Sequence, residues 1–198
     1  MFKHSFYKRC VNFLNRQIFR LLFARSFQFF GRKVSLVKPD IIFGEEYISL
    51  GDNVKIGSMC WLLALHDERE QGRPILKIDR NTTIGRFAHI VSVRSVVIEQ
   101  NVLIADKVYI SDNSHVFESV DIPIINQGVS FKDDTLIRQG AWIGENVSII
   151  GAIIGRNSVV AANSVVLSDV PDYSVVAGAP AKVIKRYDFE LKKWMKVT

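Results

Sequence analysis

Ile98-Glu99-Gln100-Asn101-Val102-Leu103-Ile104-Ala105-Asp106-Lys107-Val108-Tyr109-Ile110-Ser111-Asp112-Asn113-Ser114-His115 is the stretch whose spacing decides the fold. Ile98, Ile104 and Ile110 stand six positions apart, and the run then turns polar and carries one of the chain's four histidines. Side chains alternate faces along a strand, so a short strand followed by a tight corner sends one aliphatic residue inward per six, and three flat faces close one coil. The spacing recurs at Leu50 and Ile56, at Ile78, Ile84 and Ile90, and at Ile137, Ile143 and Ile149. After a slip of one residue it continues at Ile154, Val160 and Val166. Glycine follows the inward position at Gly51, Gly57, Gly85, Gly144 and Gly155, where a corner favours a residue without Cβ. A helical period of 3.6 residues cannot hold this spacing over so many repeats, and the pattern predicts a parallel β-helix.

The 198 residues, 48% of them apolar, suffice for one core with appendages and exclude a disordered chain. Cys10 and Cys60 are too few for a disulfide framework and fit a reducing compartment or plain packing. No uncharged apolar run approaches the roughly 18 residues of a membrane span, so the chain is not expected to cross a bilayer. The net charge of +6 sits at one end. Residues 1–39 hold nine Lys or Arg and no Asp or Glu, which leaves the remainder at a formal −3.

Residues 2–30, without Gly or Pro, read as a helix. Phe6, Cys10, Phe13, Leu14, Ile18 and Leu22 share one arc of it, and Lys8, Arg9, Arg16 and Arg20 crowd the other, with Phe19 and Phe23 intruding on the basic side. Two readings stand: a helix packed on the coil or on a neighbouring subunit, and an interfacial helix on an anionic leaflet. Residues 34–48 look extended, with Pro39 stopping any helix, and the coils are expected to begin after them. The pattern fails between Cys60 and Leu76, where His66 to Gly72 reads as a polar excursion, either a solvated loop or an acceptor-binding flap. A two-residue excess around Val93, Arg94 and Ser95 suggests a bulged corner, and His89 should face outward. After Ile110 the pattern is lost until Ile137, a length that marks a functional loop. Ile149 to Ile154 is one residue short, implying a tightened turn at Gly151. Tyr187 to Thr198 reads as an amphipathic tail packed through Trp194.

These hexapeptides resemble those of the left-handed β-helix acyltransferases over about residues 48–186. The most specific part runs from Trp142-Ile143-Gly144-Glu145-Asn146-Val147 to Val176-Ala177-Gly178-Ala179-Pro180-Ala181-Lys182-Val183-Ile184-Lys185, which is similar to the closing signature of sugar and antibiotic O-acetyltransferases. The left hand comes with the resemblance, since crossovers between parallel strands are otherwise right-handed. The expected fold is therefore all-β, a left-handed parallel β-helix at 40–187 with a catalytic loop at 111–131. A basic amphipathic helical segment at 1–39 precedes it, and a short helical tail at 188–198 follows.

The resemblance implies an acetyl-CoA-dependent O-acetyltransferase that works without metal. Acyl transfer to a hydroxyl needs a base, and the resemblance places His115 on the family's catalytic histidine. Asp112 and Glu118 are candidates to orient the imidazole. Asn113 stands where many relatives carry a second histidine and is a candidate substrate contact. Trp142, Gly144 and Ala162 match positions along the pantetheine arm of the co-substrate. Lys182 and Lys185 match basic positions near its phosphates, and Ser168 stands where relatives often have Lys. Gly85 and Val93 replace the Asn and Asp with which galactoside and maltose acetyltransferases bind sugar. The expected acceptor is instead a sugar of a bacterial surface polysaccharide or its lipid-linked precursor. The resemblance also implies a homotrimer. The chain is expected to be cytoplasmic, with the basic helix at residues 1–30 peripheral at the inner membrane face, and a basic helix alone does not point to a nucleic-acid partner.

Two other readings use the same scaffold. A γ-class carbonic anhydrase needs three zinc-binding histidines with a close pair, and His66, His89 and His115 lack that spacing. A non-enzymatic β-helix would have no use for His115 or for the Val176 to Lys185 ending.

Overall fold

The computed structural model describes residues 4–65 and 73–197, so the polar excursion expected at 66–72 lies outside the described residues. Each coil lays one short strand on each of three parallel sheets, which form the three faces of a prism. The first face runs from Phe29–Phe30 through Ile48–Leu50, Leu76–Ile78, Val96–Ile98 and Thr135–Ile137 to Ile153–Ile154. The second begins at Ser35–Leu36 and passes through Lys55–Ile56, Thr83–Ile84, Leu103–Ile104 and Trp142–Ile143 to Val159–Val160. The third comprises Ile41–Phe43, Trp61–Ala64, His89–Ser92, Tyr109–Ser111, Ser148–Ile150 and Val165–Val166.

Register puts like upon like. Ile78, Ile98 and Ile137 stack on the first face, Ile84, Ile104 and Ile143 on the second, and Ile90, Ile110 and Ile149 on the third. All nine are at most 2% exposed. Branching at Cβ suits a pleated strand, and a column of identical side chains repeats one good packing at every coil.

The corners explain the rest of the hexapeptide. A Cβ on Gly51 would sit 2.5 Å from the backbone nitrogen of Arg80 on the next coil, so glycine here answers a close backbone approach. The left-handed conformation falls two residues later, at Asn53, Asn81, Asn101, Asn146 and Asn163, with φ between 58° and 61°. Asparagine tolerates that region better than most residues. Its side chains also bond between coils, Asn53 Nδ2 to Asn81 Oδ1 at 3.0 Å and Asn146 Nδ2 to Asn163 Oδ1 at 2.9 Å. The shortened turn after Ile149 is closed by Gly151 at φ 56°.

Three expectations need correction. The coils begin at Phe29, since Phe29–Phe30 already pairs with Ser49 and Leu50, and Ser35–Leu36 with Lys55 and Ile56. Phe30, Leu36 and Ile42 keep the sixfold spacing, hidden by the change of residue type and by Pro39. At the other end the tail is not helical. Ser174–Gly178 pairs antiparallel with Ala181–Asp188, which pairs antiparallel with Lys193–Lys196. Asp188 Oδ1 accepts the Glu190 and Leu191 N–H groups in the turn, and Tyr187 meets Trp194 edge to face at 5.4 Å.

The third correction concerns the extent of helix α1, which spans His4–Phe23 and not the expected 2–30, since Phe29–Phe30 already forms a strand. It lies over the first strands of the second face, flanked by grooves that pair Arg16 with Lys33 and Lys55, and Tyr7 and Val11 with Val37 and Gly57. The side turned to the coils is the one with the intruding aromatics. Phe19 contacts the rings of Phe23, Phe27 and Phe30, and Arg20 Nη1 donates to the Gly31 carbonyl at 2.8 Å. The apolar arc points away, with Leu14, Ile18, Leu21 and Leu22 between 54% and 83% exposed.

Truncating one stacked isoleucine, Ile104→Ala, should lower stability by about 2–5 kcal/mol, because rigid neighbours above and below cannot collapse into the gap. Leu103→Ala, on the outer side of the same strand, should change it by about 0.5 kcal/mol. Urea denaturation of both variants decides, and equal losses would mean the column does not carry the fold.

Candidate active site

Tyr109–Ser111 on the third face does not turn directly onto the first face. The chain leaves the prism edge as an antiparallel hairpin, Asn113–His115 against Val129–Phe131, and rejoins at Thr135–Ile137. Val116 N–H donates to the Gly128 carbonyl at 3.1 Å, and the Gln127 amide ties Ser119 and Ile122 together further out.

Leaving a regular ladder strands backbone groups at the exit, and a buried polar cluster satisfies them. Asp112 is fully buried. Its Oδ2 accepts from Ser92 Oγ at 3.0 Å, Arg94 N at 2.8 Å and Ser95 N at 2.7 Å, and its Oδ1 from Val93 N at 2.9 Å and Asn113 Nδ2 at 2.8 Å. The two-residue excess at Val93 to Ser95 is thus a corner wrapped around a carboxylate from the next coil. Thr135 Oγ1 donates to the Ser111 carbonyl at 2.8 Å, and Arg94 lies 4.7 Å over the Phe131 ring, joining that corner to the returning strand. Ser92, Phe131 and Thr135 were not singled out from the sequence. The excess at 93–95 and the polar residues interrupting an aliphatic run were the available signals.

Asp112 therefore orients the exit corner and not the imidazole. Asn113 is 7% exposed, with its Nδ2 donating to Asp112 Oδ1. Glu118 accepts the Phe117 N–H at 3.0 Å and forms no hydrogen bond or ion pair with His115 among the described residues. His115 is exposed at the end of its strand, and its imidazole has no hydrogen-bond partner among the described residues. Both ring nitrogens are free to meet a hydroxyl.

The expected donor-site residues gather on the second face. Register aligns Trp142 with Val159, Val159 with Val175, and Val175 with Lys185. One row thus runs from an indole that is 51% exposed, across two valines, to an exposed ammonium, a span of about 14 Å at the spacing of neighbouring strands. Lys182 faces outward on the same strand as Lys185, opposite Ala177. Gly144 stands beneath the corner holding Ala162, where a Cβ would lie 2.5 Å from the Ala162 nitrogen. An apolar strip ending in cations fits a thioester carrier with a phosphorylated end. Ser168 does not join the row. It lies past Val165–Val166, on the edge between the third and first faces.

The hairpin leaves from the edge between the third and first faces, which is opposite the second face. One chain therefore holds its histidine and its donor row on opposite sides of the prism. Of the histidines a zinc reading requires, His66 lies outside the described residues, and His89 packs between Trp61 and Tyr109.

A family model described as hexapeptide repeat of succinyl-transferase matches residues 137–168. A protein of Escherichia coli (strain K12) named as a lipopolysaccharide biosynthesis O-acetyl transferase, WbbJ, is 36% identical over 165 residues, covering 80% of this chain and 81% of its own. Galactoside O-acetyltransferase of the same organism is 36% identical over 111 residues, 56% of this chain and 53% of its own, so the chain spans about half of that relative. Among solved structures, the N-acyltransferase AntD of Bacillus cereus, in complex with dTDP and 3-hydroxybutyryl-CoA, has a TM-score of 0.70 at 19% identity and covers 87% of this chain and 89% of its own. The hexapeptide-repeat acetyltransferase VCA0836 of Vibrio cholerae, complexed with acetyl coenzyme A, has a TM-score of 0.53 at 23% identity, with 83% and 74% covered. At these identities the two structures speak for the fold.

Asp112→Ala should leave the backbone donors of the exit corner without their acceptor and lower stability by about 2–4 kcal/mol. Hydrogen exchange should speed up at Val93, Arg94 and Ser95 before the rest of the third face. Unchanged exchange at these three amides would show that the carboxylate does not hold the corner.

Proposed function

The chain belongs to the hexapeptide-repeat acetyltransferase family, and on that footing we propose that it transfers acetyl from acetyl-CoA to a hydroxyl of a sugar in a bacterial surface polysaccharide or its lipid-linked precursor. The observation that carries this reading is the exposed imidazole of His115, without a hydrogen-bond partner among the described residues, on a hairpin extruded from a coil scaffold of that family. WbbJ, named for lipopolysaccharide biosynthesis, supports the acceptor class.

Acetyl-CoA supplies an acetyl group activated as a thioester. His115 takes the proton of the acceptor hydroxyl as its oxygen bonds to the acetyl carbon and the carbon–sulfur bond breaks, and then gives that proton to the departing thiolate. An imidazole suits both halves of this exchange, the neutral ring accepting the proton and the resulting imidazolium returning it. The Trp142 to Lys185 row holds the donor, its apolar middle along the pantetheine arm and Lys182 and Lys185 toward the phosphates. Because the hairpin and this row lie on opposite sides of one chain, the site is completed between copies, His115 of one meeting the second face of the next. A closed trimer of left-handed β-helices satisfies this for every copy.

The outward mounting of α1 supports a peripheral place on an anionic membrane face. No described helix is long and apolar enough to cross a membrane. A helix with Leu14, Ile18, Leu21 and Leu22 outward and arginines at its flanks is built to lie on one. There it would meet a lipid-linked glycan.

His115→Ala should lower acetyl transfer by about 10²- to 10⁴-fold without altering the melting temperature, because the hairpin stands outside the core. Turnover near that of the unaltered protein, measured by thiol release, would remove His115 from the mechanism. Phe27 belongs to the core, so membrane binding is tested by changing the outward residues and keeping the segment. The triple variant Leu14→Ser, Ile18→Ser, Leu21→Ser should lose sedimentation with phosphatidylglycerol liposomes at low salt and keep its oligomeric state. Loss of the oligomer with no change in liposome binding would assign the arc to a neighbouring copy.

A further inference from the structure

The third face carries an aromatic ladder that the transfer reaction leaves unassigned. Register aligns Trp61, His89 and Tyr109 at the outward position of three successive coils. Trp61 and His89 meet edge to face at 4.1 Å, and His89 and Tyr109 at 5.6 Å. Trp61 Nε1 donates to Asp40 Oδ2 at 2.7 Å, which fixes the indole. Beside it lies a cavity of about 220 Å³ lined by Asp40, Trp61 and His89 and by Met59 and Phe87, both nearly half exposed.

The polar atoms around these rings are open. Among the described residues neither ring nitrogen of His89, nor the Tyr109 hydroxyl, nor Asp40 Oδ1 has a hydrogen-bond partner. Partial burial holds the His89 pKa below its ordinary value, so near neutral pH the ring is neutral and offers one donor and one acceptor. A pyranose ring presents C–H groups on a face and hydroxyls around its rim, and it is matched by fixed aromatic surface with donors and acceptors at the margin. A second copy of the chain packed here with apolar side chains would bury these polar atoms unpaired, which is costly.

Position ties the ladder to the reaction. Tyr109 opens the strand that runs into the hairpin, six residues before His115, and His89 is two residues before Val91 on the neighbouring strand. With Gly85 and Val93 lacking polar side chains for a sugar, recognition of the acceptor has no other residues assigned to it. We propose that Trp61, His89 and Tyr109, with Asp40 at their margin, form a glycan platform that holds a pyranose of the acceptor beside the catalytic hairpin. This rests on the acetyl-transfer reading for its role, while the binding itself is measured without any donor.

The test is saturation-transfer NMR on the full chain with the methyl glycosides of glucose, galactose, mannose, rhamnose and N-acetylglucosamine. Saturation should reach the ring C–H protons of at least one of them and fall about tenfold in Trp61→Leu and in Tyr109→Leu, the loss of one stacked ring in each case. Tyr109→Leu provides the second variant should the indole prove necessary for folding. His115→Ala should keep the full signal, so a failed platform and a failed transfer reading give different results. Absence of saturation from every glycoside, an unchanged signal in both leucine variants, or dissociation of the oligomer by them would each overturn the proposal, the last by making this face a subunit contact.

Discussion

The interior of this protein is a stack of side-chain columns that repeat from coil to coil. Each face contributes a column such as Ile78, Ile98 and Ile137, a second buried column such as that of Leu76 and Val96, or those of Val102 and Val108, lines each corner, and the remaining positions face out or turn that corner. The next coil sits directly on that corner, which is why glycine at Gly51 or Gly144 is demanded by the backbone above it. Hydrophobic burial and backbone pairing are met by the same six residues, and the repeat has little freedom to vary.

That economy is why most of the fold can be read without coordinates. Ile84, Ile104 and Ile143 announce themselves because the core tolerates little else. Legibility fails where the inward residue changes type, as at Phe30, Leu36 and Ile42. It fails again where alternation is short and rich in lysine, as at Lys193–Lys196, a strand within the stretch 188–198 expected as a helical tail. The direction in which α1 faces could not be read at all. Amphipathicity shows which arc is apolar, and only the contacts of Phe19 with Phe27 and Phe30 show that the other arc is the one turned to the coils.

The site was legible as a place and not as a mechanism of support. His115 stands out because a polar run interrupts the columns. The role of Asp112 depends on backbone N–H groups of another coil, and backbone donors leave no mark in a sequence. A carboxylate that looks like a partner for the histidine is in fact the keystone of the exit, and the imidazole stands exposed.

A stack of parallel coils has no natural length, since each end offers unpaired strand edges on which another copy could continue. The two ends of this chain are closed by different means. Phe27, surrounded by Phe19 and Phe30, plugs the first, and at the last the second face folds back on itself through two antiparallel pairings. Its outermost strand, Lys193–Lys196, reversed twice, runs in the direction of the coil strands again, and what it offers an incoming edge is a pair of exposed ammonium groups. The antiparallel return is thus a terminator that keeps a solenoid from becoming a filament.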